Sequence, residues 1–167
     1  MKILVTGGAG YIGSVTVERL QKEGYDVIVL DNLLYGHRNS VTCPLIVEDL
    51  TNRKKPFLVL KDYRFDAVIH FAAYALAGES MVKPYKYFYN NIQGGLNLLE
   101  FMKEMSIPYI IHSSSCAVYG TPRRLPVEES EAKIPESIYG ESKLMFESIL
   151  SWYARLYNIK FINLIFL

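Results

Sequence analysis

The chain has 167 residues, of which half are hydrophobic and 21% are charged. Its 18 basic and 17 acidic side chains leave a formal net charge of +1, which gives no electrostatic reason to expect a nucleic-acid or membrane partner. The two cysteines lack metal-ligand spacing, so we expect no metal site and no disulfide framework, in keeping with a cytoplasmic location. We also expect no targeting or membrane-spanning segment.

Short runs rich in Ile and Val recur along the chain. They predict strands at residues 2–6, 26–30, 45–47, 66–70, 109–112 and 160–166. Helical patterns lie between them, at residues 11–23, 84–105 and 137–157. Apolar strands that alternate with helices are typical of the α/β class, and they predict a doubly wound parallel sheet of the Rossmann type. Loops at residues 32–40, 71–83 and 113–137 would leave the carboxyl edge of this sheet, where ligands bind in such folds.

The first predicted strand runs into a glycine-rich turn. Its glycines are Gly7, Gly8, Gly10 and Gly13. Gly7 and Gly8 allow a tight turn, Gly10 lets the backbone approach a pyrophosphate, and the last glycine lets the helix pack against the strand. Asp31 follows the second strand, about 18 residues after Gly13, where a carboxylate accepts hydrogen bonds from an adenosine ribose. Since this carboxylate would repel the 2′-phosphate of NADP, the predicted cofactor is NAD.

A second constellation follows the fifth strand. Tyr139 and Lys143 are four residues apart, which places them on one face of a helix. A nearby cation would lower the pKa of the phenol from about 10 and let it act as a general base. The serines at 113–115 lie at the same sheet edge, and a hydroxyl there can relay a substrate proton. His70 and His112 end apolar strands, and we expect both to be packed side chains rather than ligands.

With these residues the chain resembles the extended short-chain dehydrogenase/reductases, and among them the UDP-glucose 4-epimerases. The motifs that carry the resemblance are Gly7-Gly8-Ala9-Gly10-Tyr11-Ile12-Gly13-Ser14, Leu30-Asp31-Asn32-Leu33, Gly36-His37-Arg38, His70-Phe71-Ala72-Ala73, Gly78-Glu79-Ser80, Asn90-Asn91, Ser113-Ser114-Ser115, Val118-Tyr119-Gly120 and Tyr139-Gly140-Glu141-Ser142-Lys143. The resemblance implies that Ser115 and Tyr139 form the proton-transfer pair, while Lys143 holds the nicotinamide ribose and tunes Tyr139. It also implies a cofactor site made of Gly7, Gly10, Tyr11, Ile12, Gly13, Asp31, Asn32, Leu33, Asp49, Leu50, Phe71, Ala72, Ala73, Ala75, Asn90, Tyr139 and Lys143.

The reaction implied by the resemblance is an isomerisation at C4 of a UDP-hexose, between UDP-glucose and UDP-galactose. Tyr139 would remove the proton of the 4-hydroxyl while hydride passes from C4 to NAD. After the 4-keto sugar rotates, the hydride would return to its opposite face, so that NAD is regenerated in each turnover. The family's partners would be the UDP-sugar and a second copy of the chain, paired through the helices at 84–105 and 137–157.

Some positions depart from the family pattern. Glu48 stands where glycine is frequent, and Ala75 stands where some members have lysine. The dehydratases carry Thr-Asp-Glu in place of the serines at 113–115, which disfavours dehydration here. Another nucleotide-sugar oxidoreductase, a UDP-uronate epimerase or decarboxylase, and a non-catalytic NAD-binding module remain as alternatives.

The C-terminal residues depart most from the family pattern. Residues 163–167 replace an Arg-Tyr-Phe-Asn-like stretch of the family, and the family's substrate-binding domain would follow this point. We therefore expect residues 1–167 to be an NAD-binding domain truncated at its C-terminal end, with the substrate domain missing and with little activity alone.

Overall fold

A computed structural model describes residues 1–166, so Leu167, which the predicted domain includes, lies outside the described residues. Residues 1–166 form one sheet of six strands, and every neighbouring pair is parallel. The strands are β1 (Lys2–Thr6), β2 (Asp26–Asp31), β3 (Leu45–Val47), β4 (Ala67–His70), β5 (Tyr109–Ser115) and β6 (Lys160–Phe166). Their order is β3-β2-β1-β4-β5-β6, which confirms the predicted doubly wound parallel sheet.

Helices cover the sheet. They are α1 (Tyr11–Lys22), α2 (Lys55–Leu60), α3 (Ala77–Val82), α4 (Pro84–Phe88), α5 (Gly94–Glu104) and α6 (Ile138–Tyr157). The short α2 and α3 were not predicted. The helix predicted at 84–105 is divided into α4 and α5 by a π-helical turn at Tyr89–Gln93. None of the helices in residues 1–166 combines the length and the apolar character needed to cross a bilayer.

Each face of the sheet carries its own apolar cluster. On one face, α5 and α6 pack against the strands through Leu4, Val68, Leu98, Met102, Ile110, Phe146 and Leu150. On the other face, Val17 of α1 packs against Ile3, Val5, Val27, Val29 and Ile69. Successive side chains of a strand point to opposite faces, so a strand covered on both sides must be apolar throughout. This is the physical reason for the continuous apolar runs from which the strands were predicted.

The fifth strand is longer than predicted. The serines at 113–115 were expected to lie in a loop after residue 112, but β5 continues through Ser115. The reason is tertiary, because β6 pairs with β5 along its whole length and aligns Ser115 with Phe166. The ladder gives the backbone of the three serines its hydrogen-bond partners, and it therefore holds them in a regular strand.

Helices α5 and α6 meet at a glycine. A Cβ atom added to Gly95 of α5 would lie 2.2 Å from the Phe146 ring of α6. Phe146 is almost fully buried, and its ring also packs against the imidazoles of His70 and His112. The ring therefore has little room to move, and the close approach of the two helices depends on the missing side chain of Gly95.

We predict that Gly95→Ala lowers the free energy of unfolding by about 1–3 kcal/mol, because overpacking a closely packed site forces its neighbours apart. The matched control is Gly78→Ala in α3, where an added Cβ meets nothing within 4 Å among residues 1–166. This control should be neutral or slightly stabilising, since alanine favours a helix. Urea unfolding of both variants is the measurement, and equal stability of the two would contradict the packing argument.

Candidate functional site

The turn between β1 and α1 is built around two glycines. Gly7 has a φ of +71°, and a Cβ there would lie 2.5 Å from the backbone nitrogen of Ala72. A Cβ on Gly13 would lie 2.2 Å from the carbonyl oxygen of Gly7. Because these neighbours are backbone atoms, only glycine fits at either position. The first turn of α1 thus lies directly against the end of β1, in agreement with the spacing argument.

The start of α1 is open to a ligand. In the part of the chain that the structure describes, no side chain caps this helix, and its first turn contains no acidic residue. The first N–H groups of a helix have no partner within the helix, and with the helix dipole they favour an anion. Gly10, which precedes the helix, presents no side chain toward them. This set of donors fits the pyrophosphate of a dinucleotide.

Asp31 joins two segments of the site. It is the last residue of β2 and is buried. One carboxylate oxygen accepts a hydrogen bond from the Ala9 backbone N–H at 3.0 Å, and the other accepts one from the Leu33 N–H at 2.9 Å. Each carboxylate oxygen has two lone pairs, so both retain capacity for a ribose hydroxyl. Asp31 therefore holds the glycine turn and the loop after β2 together, which spacing alone had not indicated.

Asp49 is a second acidic residue of the site. Its carboxylate accepts hydrogen bonds from the Asn32 amide at 2.9 Å and from the hydroxyl and N–H of Thr51 at 2.7 and 2.8 Å. Burial raises the pKa of Asp49, but these hydrogen bonds outweigh burial and keep the pKa below its usual value. The adjoining Leu50 is held by Asn97 of α5, whose amide donates to the Leu50 carbonyl at 2.8 Å. Asn97 was not predicted as part of the site.

A groove runs along this edge of the sheet. It is lined by Gly7, Gly10, Leu30, Asp31, Asn32, Tyr35, Gly36, Glu48, Asp49, Leu50, Phe71, Ala72, Ala73, Tyr74 and Asn90. Most of the predicted cofactor residues are in this lining. The predicted residues outside it are Tyr11, Ile12, Gly13, Leu33, Ala75, Tyr139 and Lys143. Of these, Tyr11 and Ile12 are exposed on the first turn of α1, and Ala75 is exposed after β4.

Lys143 and Tyr139 lie one turn apart near the start of α6. The Lys143 ammonium is 5.9 Å from the centroid of the Tyr139 ring, and it donates a hydrogen bond to the Ser113 carbonyl at 2.7 Å. Only 4% of Lys143 is exposed. Burial lowers the pKa of Lys143 to about 8, and the charge of Glu147 opposes this effect. The predicted proximity of phenol and ammonium is therefore present.

The predicted effect of this proximity on Tyr139 is wrong. Burial of the phenol raises the pKa of Tyr139 above its ordinary value, and hydrogen bonding with the Ser115 side chain lowers it by less. The Lys143 ammonium is bound to a carbonyl on β5, 5.9 Å from the centroid of the Tyr139 ring, and its charge does not outweigh the burial of the phenol. Burial therefore decides the sign of the pKa shift of Tyr139.

Ser115 is the last residue of β5 and also begins the next turn. Its hydroxyl oxygen accepts a hydrogen bond from the Ala117 N–H at 3.2 Å and caps the 3₁₀ helix Cys116–Val118. One side chain thus ends the strand, starts the next turn and lowers the pKa of Tyr139. This gives Ser115 a defined orientation relative to the predicted proton-transfer residue.

Hydrogen bonds between buried polar groups connect α6 to the segments that line the groove. The Tyr139 N–H donates to the Ser80 hydroxyl at 3.1 Å, while the Tyr139 carbonyl accepts from Ser142 at 2.7 Å. Asn91 in turn donates to the Ser142 hydroxyl at 3.0 Å and to the Tyr74 carbonyl at 3.1 Å. Asn91 belongs to one of the motifs that carry the family resemblance, but it is not among the predicted site residues. Asparagine is a poor helix former, and two in succession at 90–91 inside a helical pattern were the available signal.

Glu147 is a second residue that the sequence argument missed. It accepts a hydrogen bond from the Ser114 hydroxyl at 2.5 Å and pairs with Lys133. Glu147 is 7% exposed, one helical turn beyond Lys143. Tyr139, Lys143 and Glu147 are spaced four residues apart along one face of α6. This spacing was the available sequence signal for Glu147.

The two histidines are packed side chains at strand ends, as predicted. His70 is buried with its Nδ1 2.6 Å from the Thr6 hydroxyl oxygen, and His112 is buried with its Nδ1 3.1 Å from the Asn163 side-chain oxygen. Burial and the nearby charge of Lys143 lower the pKa of His70 to about 3 and that of His112 to about 2. Both imidazoles are therefore neutral at physiological pH.

Comparison with known proteins gives consistent matches. The model of the NAD dependent epimerase/dehydratase family matches residues 3–167. A UDP-glucose 4-epimerase of Streptococcus mutans is 48% identical over 168 aligned positions, and the match covers 98% of this chain and 50% of the relative. A UDP-glucose 4-epimerase of Lactobacillus helveticus is 45% identical over 163 residues, covering 96% of this chain and 49% of the relative.

Comparison with solved structures gives matches to the same group of enzymes. The UDP-glucose 4-epimerase from Brucella ovis in complex with NAD superposes with a TM-score of 0.95 at 41% identity, over 98% of this chain and 51% of that one. The Thermotoga maritima enzyme with UDP-glucose superposes with a TM-score of 0.93 at 34% identity, over 98% of this chain and 54% of that one. The chain thus spans about half the length of the relatives it matches. It belongs to the NAD dependent epimerase/dehydratase family.

Proposed function

We propose that the chain carries the NAD-binding and proton-transfer part of a UDP-hexose 4-epimerase, an isomerase that interconverts UDP-glucose and UDP-galactose through a 4-keto intermediate. One observation carries the proposal: the glycine turn follows β1, Asp31 ends β2 and Ser115 ends β5, so all three lie at the carboxyl edge of one parallel sheet. At the same edge, Lys143 of α6 donates a hydrogen bond to the Ser113 carbonyl of β5. The similarity to UDP-glucose 4-epimerases over nearly the whole chain supports it.

The cofactor would lie along the groove. The open start of α1 would bind the pyrophosphate, and Asp31 with Asn32 would bind the adenosine ribose. Asp49 and Leu50 would border the adenine. When bound, NAD supplies the acceptor for the hydride of the sugar C4 and later returns it.

The chain's own residues would move the proton of the sugar hydroxyl. Ser115 would hold the 4-hydroxyl and pass its proton to Tyr139, since the hydroxyl ends β5 and its side chain acts to lower the pKa of this phenol. Tyr139 is held in place from its backbone by Ser80 and Ser142. Lys143, fixed on the Ser113 carbonyl, would bind the nicotinamide ribose.

We further propose a homodimer in the cytoplasm. Apolar side chains on α6 support pairing between copies, since Trp152 and Leu156 are 60% and 65% exposed. The free thiols Cys43 and Cys116 are consistent with a reducing compartment. The partner in the reaction would be the UDP-sugar.

The first prediction concerns the cofactor. The chain should bind NAD at least about tenfold more tightly than NADP, because the Asp31 carboxylate repels a 2′-phosphate. Asp31→Asn should reduce this preference, whereas Asp62→Asn, at an exposed position after α2, should not. Isothermal titration with both nucleotides measures the ratio. Equal affinities of the unaltered chain for the two nucleotides would contradict the assigned role of Asp31.

The second prediction concerns the reaction. A chimera in which this chain replaces the matching half of the Streptococcus mutans enzyme should interconvert UDP-galactose and UDP-glucose without net NADH formation. The chain by itself should show no detectable turnover, because positioning of the sugar supplies much of the rate. Tyr139→Phe in the chimera should lower kcat by about 10²–10⁴-fold.

The control for that substitution is Tyr25→Phe, which removes a hydroxyl in the turn before β2 and should leave kcat unchanged. Progress is followed by chromatography of the UDP-sugars and by absorbance of NADH. Accumulation of NADH with turnover would favour an oxidoreductase instead. Full activity of the Tyr139→Phe chimera would exclude this phenol as the proton-transfer group.

The third prediction concerns Lys143. Its ammonium should titrate near pH 8, against 10.5 for an ordinary lysine, in carbon NMR of isotope-labelled lysine side chains. Because this pKa is lowered in the folded chain, the group should add stability as pH rises from about 8 toward 10.5. Glu147→Gln should lower the pKa of Lys143 further, and Glu141→Gln should leave it unchanged. An ordinary pKa in the unaltered chain would refute the burial argument.

A further inference from the structure

Four charged and aromatic side chains form a cluster at the rim of the groove. Tyr35 comes from the loop after β2, Tyr74 from the segment after β4, Glu79 from α3 and Lys86 from α4. We call these four residues the clasp. Tyr35 and Tyr74 both line the groove, but they reach it from different loops, 39 residues apart in the chain.

The two tyrosines touch each other. Their rings are perpendicular, with centroids 5.7 Å apart, which is a favourable edge-to-face geometry. Tyr74 is also held from its backbone, because its N–H donates to the Asn91 side chain at 2.9 Å. Tyr35 is 57% exposed, so its contact with Tyr74 is a main restraint on its side chain. The ring contact therefore joins the two loops at the groove.

Lys86 reinforces this contact. Its ammonium lies 4.4 Å from the centroid of the Tyr74 ring and 5.9 Å from that of Tyr35. It also donates a hydrogen bond to the Tyr35 hydroxyl at 3.3 Å. A cation over an aromatic face is attracted by the ring electrons. Lys86 thus contacts both tyrosine side chains.

Glu79 keeps the ammonium in place. Its carboxylate accepts from Lys86 at 2.9 and 3.0 Å and from the hydroxyl of the buried Tyr87 at 2.9 Å. The hydrogen bonds from Lys86, Lys83 and Tyr87 lower the pKa of Glu79 to about 2, so the carboxylate stays charged at neutral pH. A pair with a buried anchor holds its geometry better than an isolated surface ion pair.

We propose that the clasp closes over the bound dinucleotide and slows its release, with Lys86 as the positioning residue. The idea rests on the proposed cofactor site, because the groove that the clasp borders is the groove assigned to NAD. NAD could leave only when Tyr35 separates from Tyr74. A cofactor regenerated in each turnover gains from slow release, since the same molecule then serves many cycles.

The neighbouring Lys83 offers a matched control. It pairs with the same Glu79, at 3.1 Å, and carries the same charge. The cation–aromatic contacts of this cluster, however, are made by Lys86. Lys86→Met and Lys83→Met therefore remove one positive charge each from the same acid, but only Lys86→Met loosens the tyrosines.

The test uses the full chain and two readouts. Stopped-flow displacement of bound NADH should show dissociation about three- to tenfold faster for Lys86→Met and for Tyr35→Ala than for the unaltered chain or Lys83→Met. In the free chain, hydrogen exchange at residues 32–37 should be faster for Lys86→Met than for Lys83→Met. Thermal melting of each variant shows whether it is folded.

The outcomes separate the clasp from the cofactor site. Unchanged exchange at residues 32–37 in Lys86→Met overturns the clasp, whether or not the chain binds a nucleotide. Equal dissociation rates for Lys86→Met and Lys83→Met also overturn it while leaving the cofactor site intact. Failure of the unaltered chain to bind NADH overturns the proposed function, and with it the role of the clasp in cofactor release.

Discussion

The contact between the first turn of α1 and the turn after β1 is the constraint on which the groove depends. Gly13 lies against the Gly7 carbonyl at a distance that admits no side chain. This approach places the helix start at the carboxyl edge of the sheet, and Asp31 then holds the same turn through the Ala9 N–H. The backbone N–H donors at the start of α1 therefore lie beside a carboxylate. A dinucleotide needs both, the donors for its pyrophosphate and the carboxylate for its ribose.

The properties of the proposed proton-transfer residues depend on burial. Lys143 of α6 is buried against β5, where its ammonium is hydrogen-bonded to the Ser113 carbonyl and attracted by the charge of Glu147. The same burial keeps His70 and His112 neutral and raises the pKa of Tyr139. Buried polar groups are stable only when they are hydrogen-bonded. The hydrogen bonds of Ser80, Asn91 and Ser142 satisfy this requirement and also orient α6.

The sheet and the glycine turn could be predicted because their signals are local. An apolar run marks a strand covered on both faces, and a glycine in a close turn cannot be replaced. The two short helices α2 and α3 escaped prediction, since helices of six residues show too little periodicity. The end of β5 was misplaced because it depends on pairing with β6, which lies 51 residues further along the chain.

By itself, the sequence determined the class of fold, the glycine turn and the residue types able to bind a nucleotide and transfer a proton. These depend on spacings of a few residues, which one helix or strand converts directly into geometry. The tertiary structure decided the roles of Asn91 and Glu147, the clasp, and the sign of the pKa shift of Tyr139. Those properties depend on burial and on contacts between distant segments, and both exist only in the folded chain.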